Sequence, residues 1–569
     1  MYDLVVRGGL IVDGSGGDVF EGDVAVVDGR IAAVGPALAA GREEIDARGM
    51  IVTPGFVDVH THYDGQATWD HRFQPSTGHG VSTVVVGNCG VGFAPCHPQH
   101  HQLLVKVMEG VEDIPEVVMV EGLPWTWETF PDYLDTLARR TFDADIAVQI
   151  GHSALRVFVM GERGAEGGVA TDDDLAQMRK LTTQAVQAGA LGVSTSRSPD
   201  HRSKNGELAP SVQTDEQELL ALAGGLRDAS SGVFQLIPNP LGDADETASM
   251  IRRLAETSGR PVSFTLLHLS RSPDAWRSYL AEIDKAQADG LQIRGQVFVR
   301  PVGVLLGLDL SLCPFTTHPS FQPLVTLSLE EKLEAMRDPQ FRKRILEESP
   351  DPENPMGKVV GALDEIYALG DPPVYEPSPD RSIAALARAQ GKAPFEQAYD
   401  MLLENEGRGV FFAPGSNFVG HSTKIARQLM AHDHTIVALG DGGAHYGMLC
   451  DGSYPSYLLT RWVRDAAPDE AFSLPWAVKA LAHDPAVAVG LNDRGLLKPG
   501  LKADINIIDL SGLRLSPPAP IYDLPAGGRR VLQPVKGYAA NIVSGQVTYR
   551  SGQATGALPG RLVRNPAAA

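Results

Sequence analysis

Short apolar runs alternate with amphipathic stretches through the middle of the chain. The apolar runs have strand length, and segments of helical period such as DDLAQMRKLTTQAVQAGA lie between several of them. This alternation is typical of βα units that build a parallel sheet. The runs with strand character are Phe56–His60, Thr83–Gly87, Ile146–Gly151, Leu191–Thr195, Val233–Ile237, Ser263–His268, Gln292–Val299 and Thr435–Gly440. Eight such strands predict an α/β fold with a closed (β/α)8 TIM-type barrel.

The two ends of the chain have a different pattern, in which short strand-like runs are separated by Gly and Asp. Residues 1–52 contain DLVVRGGLIVDG and DVAVVDGRIAAVG, and residues 490–569 contain ADINIIDL and GYAANIVSGQVTYRSGQ. Turn residues at this spacing predict short antiparallel strands. We therefore expect a small β-sandwich domain assembled from both ends, 1–52 plus 490–569, around a barrel domain of residues 53–489. Two independent β caps are the alternative.

The segment between the seventh and eighth predicted strands, about 300–434, is too long for a single crossover. It contains the helical stretch LEEKLEAMRDPQFRKRILEE and a patch rich in Pro and Asp, SPDPENPMG. We expect an inserted subdomain over the mouth of the barrel, in the position of a lid. A peripheral decoration is the alternative interpretation.

The composition and net charge of the chain exclude some classes of binding partner. The 569 residues are 43% hydrophobic and 21% charged, which is typical of a globular protein, and the net charge is −21. Nucleic acids and anionic membranes both require a positive surface, so neither is an expected partner. The chain has no apolar run of about 18 residues, no visible export signal and too few cysteines for a disulfide framework. We expect a soluble cytoplasmic protein that binds a small molecule, either as a monomer or as a homo-oligomer.

The strongest chemical signal is GFVDVHTHYD, at the end of the first predicted strand. Because alternate residues of a strand share a face, Asp58, His60 and His62 point the same way. Two imidazoles at this spacing can clamp one divalent metal, and neutral imidazole suits zinc. The motif therefore predicts a metal site, although a single histidine is more often structural.

Further candidate ligands follow other predicted strands. Active sites of (β/α)8 barrels lie at the carboxyl ends of the strands. The candidates there are Cys89 after the second strand, His152 after the third, His268 after the sixth, and Asp441 and His445 after the eighth. Thiolate, imidazole and carboxylate together favour zinc. By contrast, the histidine run CHPQHH (96–101) has no strand end beside it, and we expect a solvated loop there.

These motifs resemble those of a known family. GFVDVHTHYD, LGDGGAH and GLLKPGLKADINIIDL are similar to motifs of the amidohydrolase superfamily of metal-dependent barrel hydrolases. Within that superfamily, GNCG, GHSALR and GALGVSTS resemble the N-acyl-D-amino-acid deacylases, or D-aminoacylases. The resemblance covers nearly the whole chain. It implies a (β/α)8 fold, one or two zinc ions and hydrolysis of an amide bond.

The resemblance also implies roles for individual residues. His60 and His62 match the first-strand metal histidines, and Asp441 matches the last-strand aspartate, which in the family is the general base at the metal. Cys89 matches the cysteine that in D-aminoacylases replaces a bridging carboxylated lysine. His268 matches the sixth-strand histidine ligand. All five residues are therefore expected metal ligands.

The fifth strand departs from the family pattern. It reads VFQLIPNP, with Gln235 where the family has a histidine ligand. Gln is a poor zinc ligand beside imidazole and thiolate, so one zinc ion and two zinc ions both remain open. The text HLSR around His268 also differs from that of the deacylases. The substrate is therefore not fixed as a simple N-acyl-D-amino acid.

The expected chemistry assigns further roles. Metal activation of water needs a base such as Asp441, which takes the proton and returns it to the departing amine. His152 is a candidate donor to the oxyanion. An acylated amino acid carries a carboxylate, which Arg binds best. The arginines that follow predicted strands are Arg197, Arg271 and Arg300.

Three hypotheses for the function follow. The first is a zinc-dependent amidohydrolase that cleaves a linear amide, an N-acyl-D-amino acid or a similar acylated amine. The second is a cyclic-amide hydrolase of the hydantoinase or dihydroorotase type. The absence of a lysine from the fourth-strand text LGVSTSRS and the presence of GNCG favour the first hypothesis over the second. The third is a non-catalytic scaffold, which has no need of the clustered candidate ligands.

Overall fold

The computed structural model describes residues 1–351, 354 and 356–565. Its central sheet has eight parallel strands, each paired with its neighbour along the chain. We call them barrel strands 1–8: Phe56–Asp58, Val81–Val86, Asp145–Gly151, Gly192–Ser196, Val233–Ile237, Val262–Thr265, Ile293–Val297 and Thr435–Val437. All eight predicted strands are confirmed, with ends that differ by a few residues.

The first and last barrel strands meet just beyond their carboxyl ends. The amide of His62 donates to the carbonyl of Gly442 at 2.8 Å, and the amide of Asp441 donates to the carbonyl of His60 at 3.0 Å. These bonds curl the sheet into the predicted barrel. They also bring the first-strand histidines next to the last-strand aspartate.

Helices cover the outside of the barrel. Strands such as Val81–Val86 and Asp145–Gly151 are buried along their whole length, as expected of parallel strands with both faces covered. The predicted helix Asp172–Gln187 is confirmed and begins with a capping box of Thr171 and Asp174. No helix in the described part of the chain is both long and apolar enough to cross a membrane.

The α-helices are short or of ordinary length. In chain order they are Gln66–Trp69, His101–Glu112, Glu116–Gly122, Phe130–Ala138, His152–Met160, Glu162–Ala165, Asp172–Gln187, Glu216–Ala229, Ala244–Ser258, Ala275–Ala288, Leu329–Arg337, Pro339–Glu347, Gly357–Val360, Ile383–Gln390, Pro394–Leu403, Lys424–Met430, Tyr454–Tyr457, Leu474–Leu481 and His483–Ala488. The helix His101–Glu112 follows barrel strand 2 and ends at the candidate site, as described below.

Both chain ends contribute to one sheet. Its nine strands are Tyr2–Ile11, Phe20–Val27, Arg30–Gly35, Gly41–Asp46, Ile51–Pro54, Ile505–Ile508, Tyr538–Val543, Gln546–Arg550 and Gln553–Ala554. The two ends join where Ile505–Ile508 pairs antiparallel with Ile51–Pro54. Side chains from both ends share a separate apolar core. The two ends are therefore one unit and not two independent caps; residues 566–569 lie outside the described residues.

Much of the segment 300–434 forms a lobe with its own sheet and core, whereas the helix Lys424–Met430 packs against the barrel. The strands Val302–Leu306, Tyr367–Ala368 and Phe411–Ser416 make a small antiparallel sheet. An apolar cluster distinct from the barrel core lies beside it. Residues 352, 353 and 355 of the Pro- and Asp-rich patch lie outside the described residues. The role of this lobe as a lid stays a prediction.

The terminal unit is fastened to the barrel by a buried ion-pair network. The carboxylate of Asp145, at the start of barrel strand 3, lies 2.7 Å from Nη1 of Arg494 and 2.8 Å from Nζ of Lys502. Asp145 also accepts a hydrogen bond from the amide of Arg561 at 2.9 Å. One barrel carboxylate thus holds three points of the C-terminal part of the chain.

Candidate metal centre

Three predicted ligands come together at the carboxyl ends of barrel strands 1 and 2. The ligand atoms of His60, His62 and Cys89 lie within 4.8 Å of one another, and all three side chains are buried. Sγ of Cys89 is 3.3 Å from Nε2 of His60 and 3.7 Å from Nε2 of His62. In tetrahedral zinc sites, with bonds of about 2.0 Å to nitrogen and about 2.3 Å to sulfur, such atoms are roughly 3.5 Å apart. The cluster therefore fits a zinc ion.

Asp441 completes the cluster on one side. Its Oδ1 atom lies 3.4 Å from Nε2 of His60 and 3.6 Å from Nε2 of His62. This buried oxygen has no hydrogen-bond partner within the described residues. A carboxylate oxygen held against two imidazole nitrogens is suited to bind a metal ion or to act as a base beside one. Asp441 has a positive φ of 46°, so the chain turns sharply here before Gly442 and Gly443.

Other side chains turn the Nε2 atoms of the two histidines toward the cluster. Nδ1 of His60 donates to Oε1 of Gln296 at 2.7 Å, and Gln296 in turn contacts Oγ of Ser263 at 3.0 Å. Nδ1 of His62 lies 3.3 Å from Oε1 of Glu112. Partners of this kind fix the orientation and tautomer of metal-binding histidines. The hydrogen bond to Gln296 thereby prepares the ring of His60 to bind metal through Nε2, whereas Glu112 faces Nδ1 of His62 without a hydrogen bond between them.

Cys89 lies in a tight turn that side chains of barrel strands 4 and 5 hold in place. Its φ is +57°, and its amide donates to Oε1 of Gln235 at 3.2 Å. The amide of Gly90 donates to Oγ of Ser194 at 2.9 Å. The fifth-strand residue that replaces the family's histidine ligand therefore supports the loop that carries the thiol.

Several unpartnered polar atoms lie around this cluster. Buried polar atoms are usually hydrogen-bonded, so exceptions point to a ligand, an ion or water that completes the site. The atoms without a hydrogen-bond partner in the described part of the protein include Asp58 Oδ2, His62 Nδ1, Asp64 Oδ2, Glu112 Oε1, His201 Nδ1, Asp441 Oδ1 and His445 Nδ1. The region is therefore built to hold something besides the protein's own side chains.

Sequence reasoning missed two residues of this region. Glu112 ends the helix His101–Glu112, and its buried carboxylate lies between His62 and His445. His201 belongs to the loop after barrel strand 4; burial first, and then the charges of His445 and His62, lower its pKa to about 4. Neither residue directly follows a barrel strand, so the search at strand ends gave no signal for them.

The histidine run 96–101 is only in part the solvated loop that we expected. Pro98 and Gln99 are exposed, but the run leads into the helix His101–Glu112 and two of its histidine rings pack on aromatic side chains. The ring of His101 stacks on Trp125 at 3.8 Å between centroids, and that of His97 stacks on Phe158 at 4.0 Å. Flat imidazole rings pack well against aromatic faces, which the local sequence did not indicate.

The structure does not bring His268 into the ligand cluster. Within the described residues, the group of metal-capable side chains consists of His60, His62 and Cys89. The backbone of His268 is bound on both sides by Asn417 of the inserted lobe, at 2.9 Å and 2.7 Å. This geometry does not support the predicted metal role of His268.

His152 is also occupied elsewhere. Its Nδ1 atom lies 2.8 Å from Oγ1 of Thr195, and its Nε2 atom lies 2.7 Å from Oε1 of Glu218, which also pairs with Arg156. Both ring nitrogens therefore have partners inside the protein. The structure does not support His152 as an oxyanion donor, because no N–H is left for a substrate.

Two of the three candidate arginines are already neutralised. Arg271 makes a two-pronged ion pair with Asp200 at the surface. Arg300 is buried, pairs with Asp451 at 2.6 Å and stacks on the ring of Tyr375 at 3.7 Å. Neither guanidinium is free to bind a substrate carboxylate in this arrangement, contrary to the sequence-based expectation.

Arg197 differs from both. It follows barrel strand 4, is half-buried, and donates from Nη1 to the carbonyl of Thr214 at 3.0 Å. No carboxylate of the described residues lies within 4.0 Å of its guanidinium, although burial, partly opposed by the charge of Glu216, lowers its pKa. Arginine remains charged at neutral pH despite such a shift. Arg197 thus keeps the capacity to bind an anion.

Comparison with known proteins identifies the family. A model of the amidohydrolase family matches residues 43–549, which is most of the chain. The chain therefore belongs to the amidohydrolase family. A similar solved structure is N-acyl-D-glutamate deacylase from Bordetella bronchiseptica, complexed with zinc and a phosphonate inhibitor. It has a TM-score of 0.65 and 21% identity over 99% of each chain, which confirms the fold.

Two further relatives come from Alcaligenes xylosoxydans. N-acyl-D-aspartate deacylase is 39% identical over 196 residues, or 34% of this chain and 36% of that protein. N-acyl-D-glutamate deacylase is 27% identical over 89% of this chain and 87% of that protein. The aligned stretch thus spans only about a third of the first relative's length. The resemblance to N-acyl-D-amino-acid deacylases is nevertheless confirmed.

Proposed function

We propose that the protein is a zinc-dependent amidohydrolase that cleaves the amide bond of an acylated amine. The observation that carries the proposal is the unpartnered Oδ1 of Asp441, held 3.4 Å and 3.6 Å from the imidazoles of a buried His, His and Cys cluster. When bound there, zinc supplies Lewis-acid polarisation of a carbonyl and lowers the pKa of water.

The protein's own groups have distinct roles in this proposal. His60, His62 and Cys89 hold the ion, while Gln296 orients His60. Asp441 takes one proton from the attacking water at its carboxylate and delivers that proton to the departing nitrogen. Water adds its oxygen to the acyl carbon as the C–N bond breaks, which yields a carboxylic acid and an amine.

We propose one zinc ion per chain. A second ion needs further ligands, and within the described residues neither Gln235 nor His268 belongs to the ligand cluster. Gln235 accepts the amide of Cys89. His268 lies outside the ligand cluster, where Asn417 binds its backbone. Both observations favour one metal over two.

We propose an N-acyl-D-amino acid as the substrate. The support is Arg197, a half-buried cation without a carboxylate partner at the carboxyl end of the barrel, together with the names of the relatives. A cyclic amide such as a hydantoin has no carboxylate for this arginine, so the linear substrate is favoured. The homo-oligomer and the cytoplasmic location stay predictions.

The first test measures metal content and activity together. Protein purified without added metal is compared with Cys89→Ala, and with Cys96→Ala as a control that removes a buried thiol outside the cluster. We expect close to one zinc ion per chain in the parent and the control, and much less in Cys89→Ala.

Activity is then measured on a panel of N-acetyl-D-amino acids, N-acetyl-L-amino acids and hydantoins. The proposal expects hydrolysis of the D series in proportion to zinc content. A parent protein that takes up no zinc contradicts the metal mechanism, and hydrolysis of hydantoins alone contradicts the proposed substrate.

A further inference from the structure

We propose that Glu112 is a positioning residue that fixes the tautomers of two histidines: His62 at the metal and His445 on the side where the substrate enters. The inference deepens the proposed function and rests on it. One carboxylate lies between the two rings, with Oε1 at 3.3 Å from Nδ1 of His62 and Oε2 at 3.6 Å from Nε2 of His445.

The carboxylate of Glu112 is isolated from solvent. The side chain is only 2% exposed. A buried carboxylate is costly unless nearby donors compensate it. In the part of the chain that the structure describes, neither Oε1 of Glu112 nor Nδ1 of His62 makes a hydrogen bond, although only 3.3 Å separates them. A proton on this ring nitrogen, directed at Oε1, would pair the two atoms and would leave Nε2 of His62 unprotonated for the metal.

His445 faces the other oxygen of the Glu112 carboxylate. The backbone binds it to the same residue, because the amide of His445 donates to the carbonyl of Glu112. With a proton on Nε2 facing the carboxylate, the neutral ring presents Nδ1 as an acceptor. That Nδ1 atom is buried and has no partner among the described residues. A hydrogen-bond donor brought by the substrate, such as the N–H of a secondary amide, would complete it.

Exposure indicates which side of the cluster is open. The side chains of His62 and Glu112 are 1% and 2% exposed, whereas those of Asp441 and His445 are both 22% exposed. A substrate therefore reaches Asp441 and His445 first. Glu112 lies behind them and acts through the histidines rather than by touching the substrate.

Backbone contacts hold the helix end that carries Glu112 beside the loop that carries His445. Glu112 is the last residue of a helix that follows barrel strand 2, and Asp113 takes a left-handed conformation directly after it. Oδ2 of Asp113 accepts a hydrogen bond from the amide of Gly447, just beyond His445, at 3.0 Å. The helix end is thus tied to the loop after barrel strand 8 at two successive residues.

The test separates the two histidines. Glu112→Gln keeps the shape of the side chain but removes its charge, and His445→Ala removes only the substrate-side ring. Glu218→Gln is the matched control, because Glu218 is also buried against a histidine, His152, away from the cluster. Zinc affinity is measured by competition with a chelator, alongside kcat, KM and Tm.

We expect Glu112→Gln to weaken zinc binding about 10- to 100-fold, which is the range for residues that orient metal ligands. His445→Ala should keep the parent zinc affinity and lose activity. The double variant combines Glu112→Gln with His445→Ala and is measured when saturated with zinc. Glu112→Gln should reduce kcat less in the His445→Ala background than in the parent protein. Glu218→Gln should lower Tm without changing zinc affinity.

Three outcomes would overturn the inference. The first is a Glu112→Gln variant with the zinc affinity and kcat of the parent. The second is a loss of zinc affinity that Glu218→Gln shows equally, which would reduce Glu112 to a structural residue. The third is fully additive losses of kcat, which would separate Glu112 from His445. A parent protein that binds no zinc would contradict the proposed function, and with it the role of Glu112 at His62. This failure is distinct from the other three, because it is seen in the parent protein before any substitution.

Discussion

At the scale of single residues, partner availability separates the functional candidates from the structural ones. Among the described residues, Oδ1 of Asp441 makes no hydrogen bond and Arg197 has no carboxylate partner, whereas both ring nitrogens of His152 are bonded and Arg271 and Arg300 are paired with carboxylates. A group that is already neutralised must break an existing contact before it can bind substrate. Residues whose charge or hydrogen-bonding groups have no partner in the protein are therefore the ones expected to act on the substrate.

Asp441→Asn removes the proposed base with little change in shape. General acid–base groups contribute about 10²- to 10⁴-fold to rate, so kcat/KM should fall by that order. Circular dichroism and Tm should stay close to those of the parent. Asp274→Asn, at an exposed carboxylate far from the cluster in sequence, is the control and should be fully active. An Asp441→Asn enzyme with parental kcat would exclude this residue as the base.

Arg197→Ala should raise KM for a substrate that carries a carboxylate and leave kcat nearly unchanged. A hydrogen bond to a charged group contributes about 1.5–3 kcal/mol, which corresponds to roughly a 10- to 150-fold increase in KM. The same substrate with its carboxylate converted to an amide should respond much less to the change. Arg271→Ala is the matched control, since Asp200 already neutralises that guanidinium. Equal effects of both variants would contradict the assignment.

At the scale of elements, the pattern of apolar residues predicted the strands best where a strand is buried along its whole length. Barrel strands 2 and 3 are buried along their whole length, so their apolar runs stand out, and the ligands at strand ends follow from them. The partner of a side chain depends instead on which distant segments pack together. Glu218 comes from the helix Glu216–Ala229, which follows barrel strand 4, and meets His152. Glu112 comes from a helix whose end reaches His62. No local pattern encodes such meetings, which is why these roles were missed or misassigned.

The turn after barrel strand 2 is an element on which the metal site depends. Gly87 has a φ of +78°, and a Cβ there would overlap the backbone carbonyl of Gln149. Gly206 has a similar φ of +86°, but open space surrounds it. Both Ala variants carry the cost of a left-handed conformation, about 1 kcal/mol, and only Gly87→Ala adds a clash between neighbouring barrel strands.

Gly87→Ala should therefore lower Tm much more than Gly206→Ala and should lose zinc, because the strand displacement moves Cys89. Thermal unfolding and zinc content of the two variants provide the measurement. Equal Tm values with zinc retained in both would mean that the turn tolerates the displacement and does not control the position of the thiol.

At the scale of the whole molecule, the barrel and the terminal unit are joined through buried charge. Burial by itself raises the pKa of Asp145, but the charges of Lys502 and Arg494 outweigh it and hold that pKa below its ordinary value. Removing one partner of a buried ion pair leaves the other charges uncompensated, which costs about 3–5 kcal/mol. Asp145→Asn should accordingly lower the free energy of unfolding by that amount near pH 7. Asp493→Asn is the control, because it removes a 49% exposed partner of the same Arg494 and should cost about 1 kcal/mol or less.

The pH dependence of this difference has a definite sign. A carboxyl whose pKa is lower in the folded state contributes stability at pH values above its unfolded pKa, about 3.9 for Asp, and loses that contribution as the pH falls toward the folded value. The gap between the parent and Asp145→Asn should therefore stay constant from about pH 8 to about pH 5 and narrow below about pH 4. Urea denaturation across this range measures the gap. A gap that widens on acidification would show that Asp145 is protonated in the folded protein, and the ion-pair network would then not be what fastens the terminal unit to the barrel.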